Sequence, residues 1–128
     1  MNPYQLLEDK ITQATTLEES VEVLETLLTG GYAVWTDGSL YNVKQLVARI
    51  KGLKVSVYAD EHPPPHFHVS GNDIEASFSI LDCSLTEGTI NGRDRKLVEW
   101  WYARGRGTLI STWNATRPTD CPVGPVTE

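Results

Sequence analysis

Three consecutive segments between Leu53 and Ile80 alternate apolar and polar residues in phase, a period of two that strands adopt and helices do not. "LKVSVYA" sets Leu53, Val55 and Val57 to one side and Lys54, Ser56 and Tyr58 to the other. "HFHVSGNDIEASFSI" reads as two strands joined at Gly71-Asn72, a dipeptide suited to a tight primed turn. That turn predicts Val69 opposite Ile74, His68 opposite Glu75, Phe67 opposite Ala76 and His66 opposite Ser77. Phe67, Val69, Ile74, Ala76, Phe78 and Ile80 then share a core face, and a one-residue slip would turn all of them to solvent.

The flanking segments are helical on the N-terminal side. "PYQLLEDKITQA" places Leu6, Leu7 and Ile11 together, with Pro3 in a first turn. "TTLEESVEVLETLLTGG" is a second helix with Leu17, Val21, Leu24 and Leu28 as its stripe. Thr16 and Glu19 have capping-box spacing, and Gly30-Gly31 stop the helix. "YAVWTDGSLYNV" reads as a hairpin around Asp37-Gly38, and "NVKQLVARIKG" as a short helix with Val43, Leu46, Val47 and Ile50 inward. "CSLTEGTI" supplies a fourth strand to the meander. "GRDRKLVEWWYARGRGTLISTWNA" is a long helix with Leu97, Trp101, Leu109 and Trp113 on one side. Gly105 and Gly107 each cost about 1 kcal/mol in a helix interior, so a kink or split is expected there. The reading is an α+β fold: an antiparallel meander of about four strands packed on a long C-terminal helix and preceded by N-terminal helices. Residues 1–31 form the helical segment, 32–117 the α+β unit and 118–128 an irregular, proline-bearing tail.

All three histidines lie in "DEHPPPHFHV". His66 and His68, two residues apart on a strand, sit roughly 6.6 Å apart at Cα on the polar face. At that separation two imidazoles can reach one divalent metal ion, with Glu75 as third ligand or as the group that orients a ring. His66 and His68 are thus the candidate metal or acid–base pair. His62 is harder to include, because an extended Pro63-Pro64-Pro65 holds it roughly 12 Å from His66. Tyr58, His62, Pro64 and Glu75 are the candidate binding residues around the pair. The structural alternative is a stiff approach to an edge strand: proline donates no ladder hydrogen bond and blocks strand addition. The prolines are expected to form an exposed bridge, with His66 and His68 pointing away from the core.

Charge narrows the partners. The net charge is −6, which argues against broad nucleic-acid binding and leaves the basic C-terminal helix as the only candidate surface for it. Acids cluster from Glu8 to Glu25 and bases from Arg93 to Arg117, an asymmetry suited to contact within the chain, between copies or with an anionic partner. Arg93 and Arg95 would bind phosphate, and bases in a first helical turn oppose the helix dipole. Trp100, Trp101 and Trp113, at helical spacing, read as core residues. The chain has no apolar run of membrane-spanning length, no signal-peptide pattern and no CxxC. A cytoplasmic protein with reduced Cys83 and Cys121 is expected. Phosphate-loop, GxGxxG, GxSxG and HExxH motifs are all missing.

"VSVYADEHPPPHFHV", "ASFSI", "LTEGTI" and a basic helix ending in "STWN" resemble the bacterial domain-of-unknown-function family catalogued as 4160. The resemblance runs from about Leu53 to Asn114, with His66-Phe67-His68-Val69 as its most specific element, and makes the leading helices an extension. It implies a small α+β unit, a prokaryotic and often mobile-element setting, and gene pairs of the toxin–antitoxin kind. It implies no reaction, cofactor or catalytic set.

Two functions are expected from these residues. The first is a protein-interaction module whose partner is encoded by an adjacent gene of a toxin–antitoxin-like or defence-related pair. The second is a hydrolase or nuclease in which His66 and His68 bind metal or act as acid and base, Glu75 orients a ring, and Arg93 and Arg95 neutralise phosphate.

Overall fold

The computed structural model describes residues 3–29, 32–42, 53–58, 65–71 and 73–116. The expected helix after Asn42, the Gly30-Gly31 stop, His62, Pro63, Pro64 and the tail from 118 lie outside the described residues. Two helices come first, α1 (Pro3–Thr12) and α2 (Leu17–Thr29), then the hairpin strands β1 (Tyr32–Val34) and β2 (Leu40–Asn42). The meander β3 (Lys54–Tyr58), β4 (His66–Gly71), β5 (Ile74–Ser79) and β6 (Leu85–Thr89) follows, and α3 (Gly92–Thr116) closes the fold. The four strands pair antiparallel in sequence order, and β1 pairs with β2 in a separate ribbon. This is the expected α+β arrangement.

The caps follow from local sequence. The Glu19 amide donates to Thr16 Oγ1 at 3.3 Å, and the Thr16 hydroxyl donates to Glu19 Oε1 at 3.1 Å, so the capping residues bind each other at the start of α2. At α3 a second cap is present that the sequence reading does not anticipate. The Asp94 amide donates to Asn91 Oδ1 at 2.8 Å, and Asn91 Nδ2 donates to Asp94 Oδ2 at 2.9 Å. Asp94 is buried in that exchange.

The helices turn slightly differently from their expected faces. Leu7 and Ile11 are buried, but Leu6 is exposed. On α2 the buried stripe is Ser20, Val23, Leu24, Leu27 and Leu28, while Leu17 and Val21 are half-buried at its margin. Two overlapping apolar stripes exist on α2, and contact with α3 selects the one that contains the small Ser20. Trp101 Nε1 donates to the Ser20 carbonyl at 2.8 Å, which ties α3 to α2 across the core.

α3 runs unbroken through Gly105 and Gly107, where a kink or split was expected. A Cβ at Gly105 would lie 3.1 Å from both Ile11 Cγ2 and Ser20 Oγ. Glycine there lets three helices approach, and the packing gained outweighs its weak helix propensity.

Phe67 and Val69 are fully buried against α3, as the alternation requires. The Phe67 ring lies 5.4 Å from Phe78, 6.0 Å from Trp101 and 6.1 Å from Tyr102. Burial of each such side chain contributes about 1.5–3 kcal/mol. Trp101, Trp113 and Trp100 are core residues. Leu53, Val55 and Val57 reach only partial burial, because β3 is the sheet's edge.

The β4–β5 register differs from the expected one by two residues. Gly71 pairs with Ile74, Ser70 with Glu75, Val69 with Ala76, His68 with Ser77, Phe67 with Phe78 and His66 with Ser79. Gly71 therefore belongs to β4 rather than to the turn, and Asp73 stands at φ 62°. A two-residue slip keeps every side chain on its face, so alternation alone does not select between the registers. The ladder continues one step further, since the Ile80 amide donates to the Pro65 carbonyl at 2.9 Å. Pro65 is consequently buried rather than part of an exposed bridge.

Candidate functional site

The sheet face away from α3 carries the histidines. β4 contributes His66, His68 and Ser70, and β5 contributes Glu75, Ser77 and Ser79. Tyr58 stands opposite His66, Ser56 opposite His68 and Lys54 opposite Ser70 on β3. On the far side Glu87 faces Ser77, and Thr89 faces Glu75.

His68 is held at both ring nitrogens. Its Nδ1 lies 2.8 Å from Ser77 Oγ, and its Nε2 lies 2.9 Å from Glu75 Oε2. The Ser70 hydroxyl donates to the other Glu75 oxygen. Glu75 sits diagonal to His68 in the ladder, not opposite it as expected, and the side chains close the gap. The Ser70 hydroxyl, and then His68, hold the Glu75 carboxyl below the usual glutamate range. An ionised carboxylate only accepts, so in the neutral ring Nε2 carries the proton and Nδ1 accepts. Ser77 must then donate its hydroxyl to His68. The chain runs Ser77 to His68 to Glu75, with Ser70 donating from the other end.

The site is open. Glu75 is 69% exposed and His68 26% exposed, whereas Ser77 is buried beneath the ring. Four cavities of about 300–550 Å³ border the described residues, and His66, His68, Glu75 and Ser77 line none of them.

The expected site residues are brought together only in part. His68 and Glu75 are in direct contact. Among the described residues no three His, Cys, Asp or Glu side chains are grouped to hold a metal ion, and Glu75 hydrogen-bonds to His68 directly. Arg93 and Arg95 sit at the start of α3, in the layer on the other side of the sheet. Arg93 lies 3.4 Å from Asp94, and Arg95 lies 3.9 Å from Glu99. His62 and Pro64 are outside the described residues, and of Tyr58 only the ladder position is described. Ser70 and Ser77 were not singled out as site residues. Their even spacing from His68 and Glu75 put them on the same face, and the true register was needed to bring them into contact.

Among the described residues the acidic front and basic rear meet at Arg104 and Glu8. Arg104 Nε lies 3.6 Å from Glu8 Oε1, and its guanidinium stacks 3.8 Å from the Trp100 ring centroid. No helix among the described residues is long and apolar enough to cross a membrane.

The fold and face define a small α+β domain: an antiparallel meander with one side under a long helix and the other polar and open. Residues 52–114 match the model of the family described as Domain of unknown function (DUF4160). No curated protein and no solved structure matched the chain.

Proposed function

We propose that this chain is a protein-interaction module in a toxin–antitoxin-like or defence-related gene pair, and that its polar sheet face binds the protein encoded by the adjacent gene. The observation that carries this reading is His68. Its ring is fixed at both nitrogens on an open surface, with a carboxylate and two hydroxyls locked around it. A surface ordered before contact loses little side-chain entropy on binding, which favours recognition. An open face suits a protein better than a small molecule, because small-molecule sites enclose most of their ligand. The gene-pair setting rests on the family resemblance. The test is co-expression with the adjacent gene's product, followed by affinity purification. A stable complex with the wild type, weakened by His68→Ala and Glu75→Ala, is the expected result. A chain that purifies alone contradicts it.

One observation favours a second reading, a hydrolase that uses His68 as general base. The hydroxyl of Ser77 donates to a ring whose far nitrogen is held by a carboxylate, an arrangement that can move a proton. Glu75 and Glu87 flank Ser77, so an uncharged ester fits this face better than a phosphodiester. Hydrolysis of a neutral ester that disappears in both Ser77→Ala and His68→Gln would establish it, and full activity in either variant would exclude it.

A further inference from the structure

One cavity lies along the β3 edge of the sheet. It measures about 430 Å³ and is lined by Leu17, Glu18, Val21, Glu22 and Glu25 of α2, and by residues 53–56 at β3. Four consecutive residues line it on the β3 side, although strand side chains alternate between faces. The cavity therefore borders the edge of the strand rather than one of its faces. Among the described residues β3 pairs only with β4, and no described residue forms a ladder with its outer row of backbone groups.

The groove has a consistent chemistry. Leu17, Val21, Leu53 and Val55 are half-buried and form an apolar floor. Glu18, Glu22 and Glu25 recur at helical spacing on the α2 wall. None of the three forms an ion pair with a described residue. Lys54 is the one cation among the described residues that line the groove. The other sheet edge does not offer the same opportunity. The β5–β6 ladder shifts register at Ser77/Phe78, and Gly88, at φ 87°, packs so closely that a Cβ would overlap the Glu75 carbonyl. Bulged edges resist added strands, and straight ones accept them.

We infer that the groove between α2 and the β3 edge takes an extended, alternately apolar and basic segment of the partner protein, added to the sheet as a further strand beside β3. Main-chain hydrogen bonds to β3 would provide attachment, and basic side chains facing α2 would read Glu18, Glu22 and Glu25. Apolar residues of the segment would cover Leu17, Val21, Leu53 and Val55. This inference rests on the interaction-module reading and names how the partner attaches. The added strand would also extend the sheet that displays His66 and His68.

The probe is a ten-residue synthetic peptide that alternates valine and lysine, titrated into the full chain and followed by NMR. The expected result is saturable binding, with shifts and new exchange protection at alternate β3 amides from Lys54 to Tyr58. A Glu18→Lys/Glu22→Lys/Glu25→Lys variant, whose changes are on the surface, should weaken binding at least about tenfold, and so should added salt. The same peptide with N-methylated backbone amides should not bind, since it cannot complete the ladder. No binding, binding unchanged by the triple substitution, or binding by the N-methylated peptide each overturns the inference. An adjacent-gene product that binds the triple variant as tightly as the wild type also overturns it, while leaving the module reading intact. A chain that forms no such complex removes the module reading, and the peptide titration still decides the groove.

Discussion

His68 Nε2 lies 2.9 Å from Glu75 Oε2 although the two residues are diagonal, not opposite, in the β4–β5 ladder. The contact depends on Ser70, which stands directly opposite Glu75 and donates to its second oxygen. Ser70 is the larger cause of the lowered Glu75 pKa, and His68 the second. Ser70→Ala should therefore move the Glu75 carboxyl titration up toward the ordinary glutamate range. The sign follows from linkage. A carboxyl depressed in the folded state adds stability above its ordinary range and loses it as pH falls through the folded value. In the wild type, acid should free the His68 ring only below the ordinary glutamate range. Carboxyl-carbon NMR of Glu75 with the His68 ring signals reads both effects. A Glu75 titration unchanged in Ser70→Ala contradicts this account.

Gly105 and Ser20 should be coupled. A Cβ at Gly105 would crowd Ile11 and Ser20 Oγ at 3.1 Å each, and that Oγ is buried without a hydrogen-bond partner. Gly105→Ala should destabilise by about 1–3 kcal/mol through overpacking, despite alanine's better helix propensity. Ser20→Ala should be close to neutral, because it removes an unsatisfied hydroxyl. The double variant should be more stable than Gly105→Ala alone. Urea denaturation of the four proteins gives the coupling, and strict additivity would contradict the proposed contact.

The β4–β5 register and Gly105 show where sequence pattern stops deciding the fold. Period-two alternation from Val55 to Phe78 identified the core face, because inverting it would expose Phe67, Val69 and Phe78 together. It did not set the register, since a two-residue slip preserves the face. Only the turn after Gly71 decides that pairing, and with it the contact of Ser70 with Glu75. In α3 the weak helix propensity of Gly105 suggested a break, but α1 and α2 press against the helix there, information held in residues about ninety positions away. The candidate site was legible in the same measure. The polar face, His68 and Glu75 followed from spacing, whereas Ser70 and Ser77 needed the true ladder. Arg93 and Arg95 were grouped with the histidines by chemistry alone, and the sheet lies between them.

Trp101 joins two layers through one donor. Trp101→Phe removes the 2.8 Å bond from Nε1 to the Ser20 carbonyl and leaves a void at a fully buried position. A loss of about 2–3 kcal/mol is expected from the lost hydrogen bond and the missing ring. Trp101→Ala should cost about 3–5 kcal/mol or prevent folding. Thermal and chemical denaturation measure both. A Trp101→Phe protein as stable as the wild type would show that the bond contributes nothing to the α2–α3 contact.

Cys83 should be inert in the native protein. It is buried at φ 62°, and burial, with Glu99 adding to it, pushes its thiol up to about 12. At pH 8 almost none is thiolate, the form that reacts. Iodoacetamide should leave Cys83 unmodified in the folded chain and alkylate it in urea, as read by peptide mass spectrometry. Rapid native labelling would contradict the packing of the turn before β6.

The central claim is that recognition belongs to the polar sheet face rather than to the basic turn of α3. NMR shift mapping on the isotope-labelled chain, with the adjacent gene's product added, tests this most directly. The expected result is that the largest changes fall on His66, His68, Ser70, Glu75 and Ser77 and extend along β3. Changes confined to Arg93, Arg95 and Lys96, with the His68 ring signals unmoved, would contradict it.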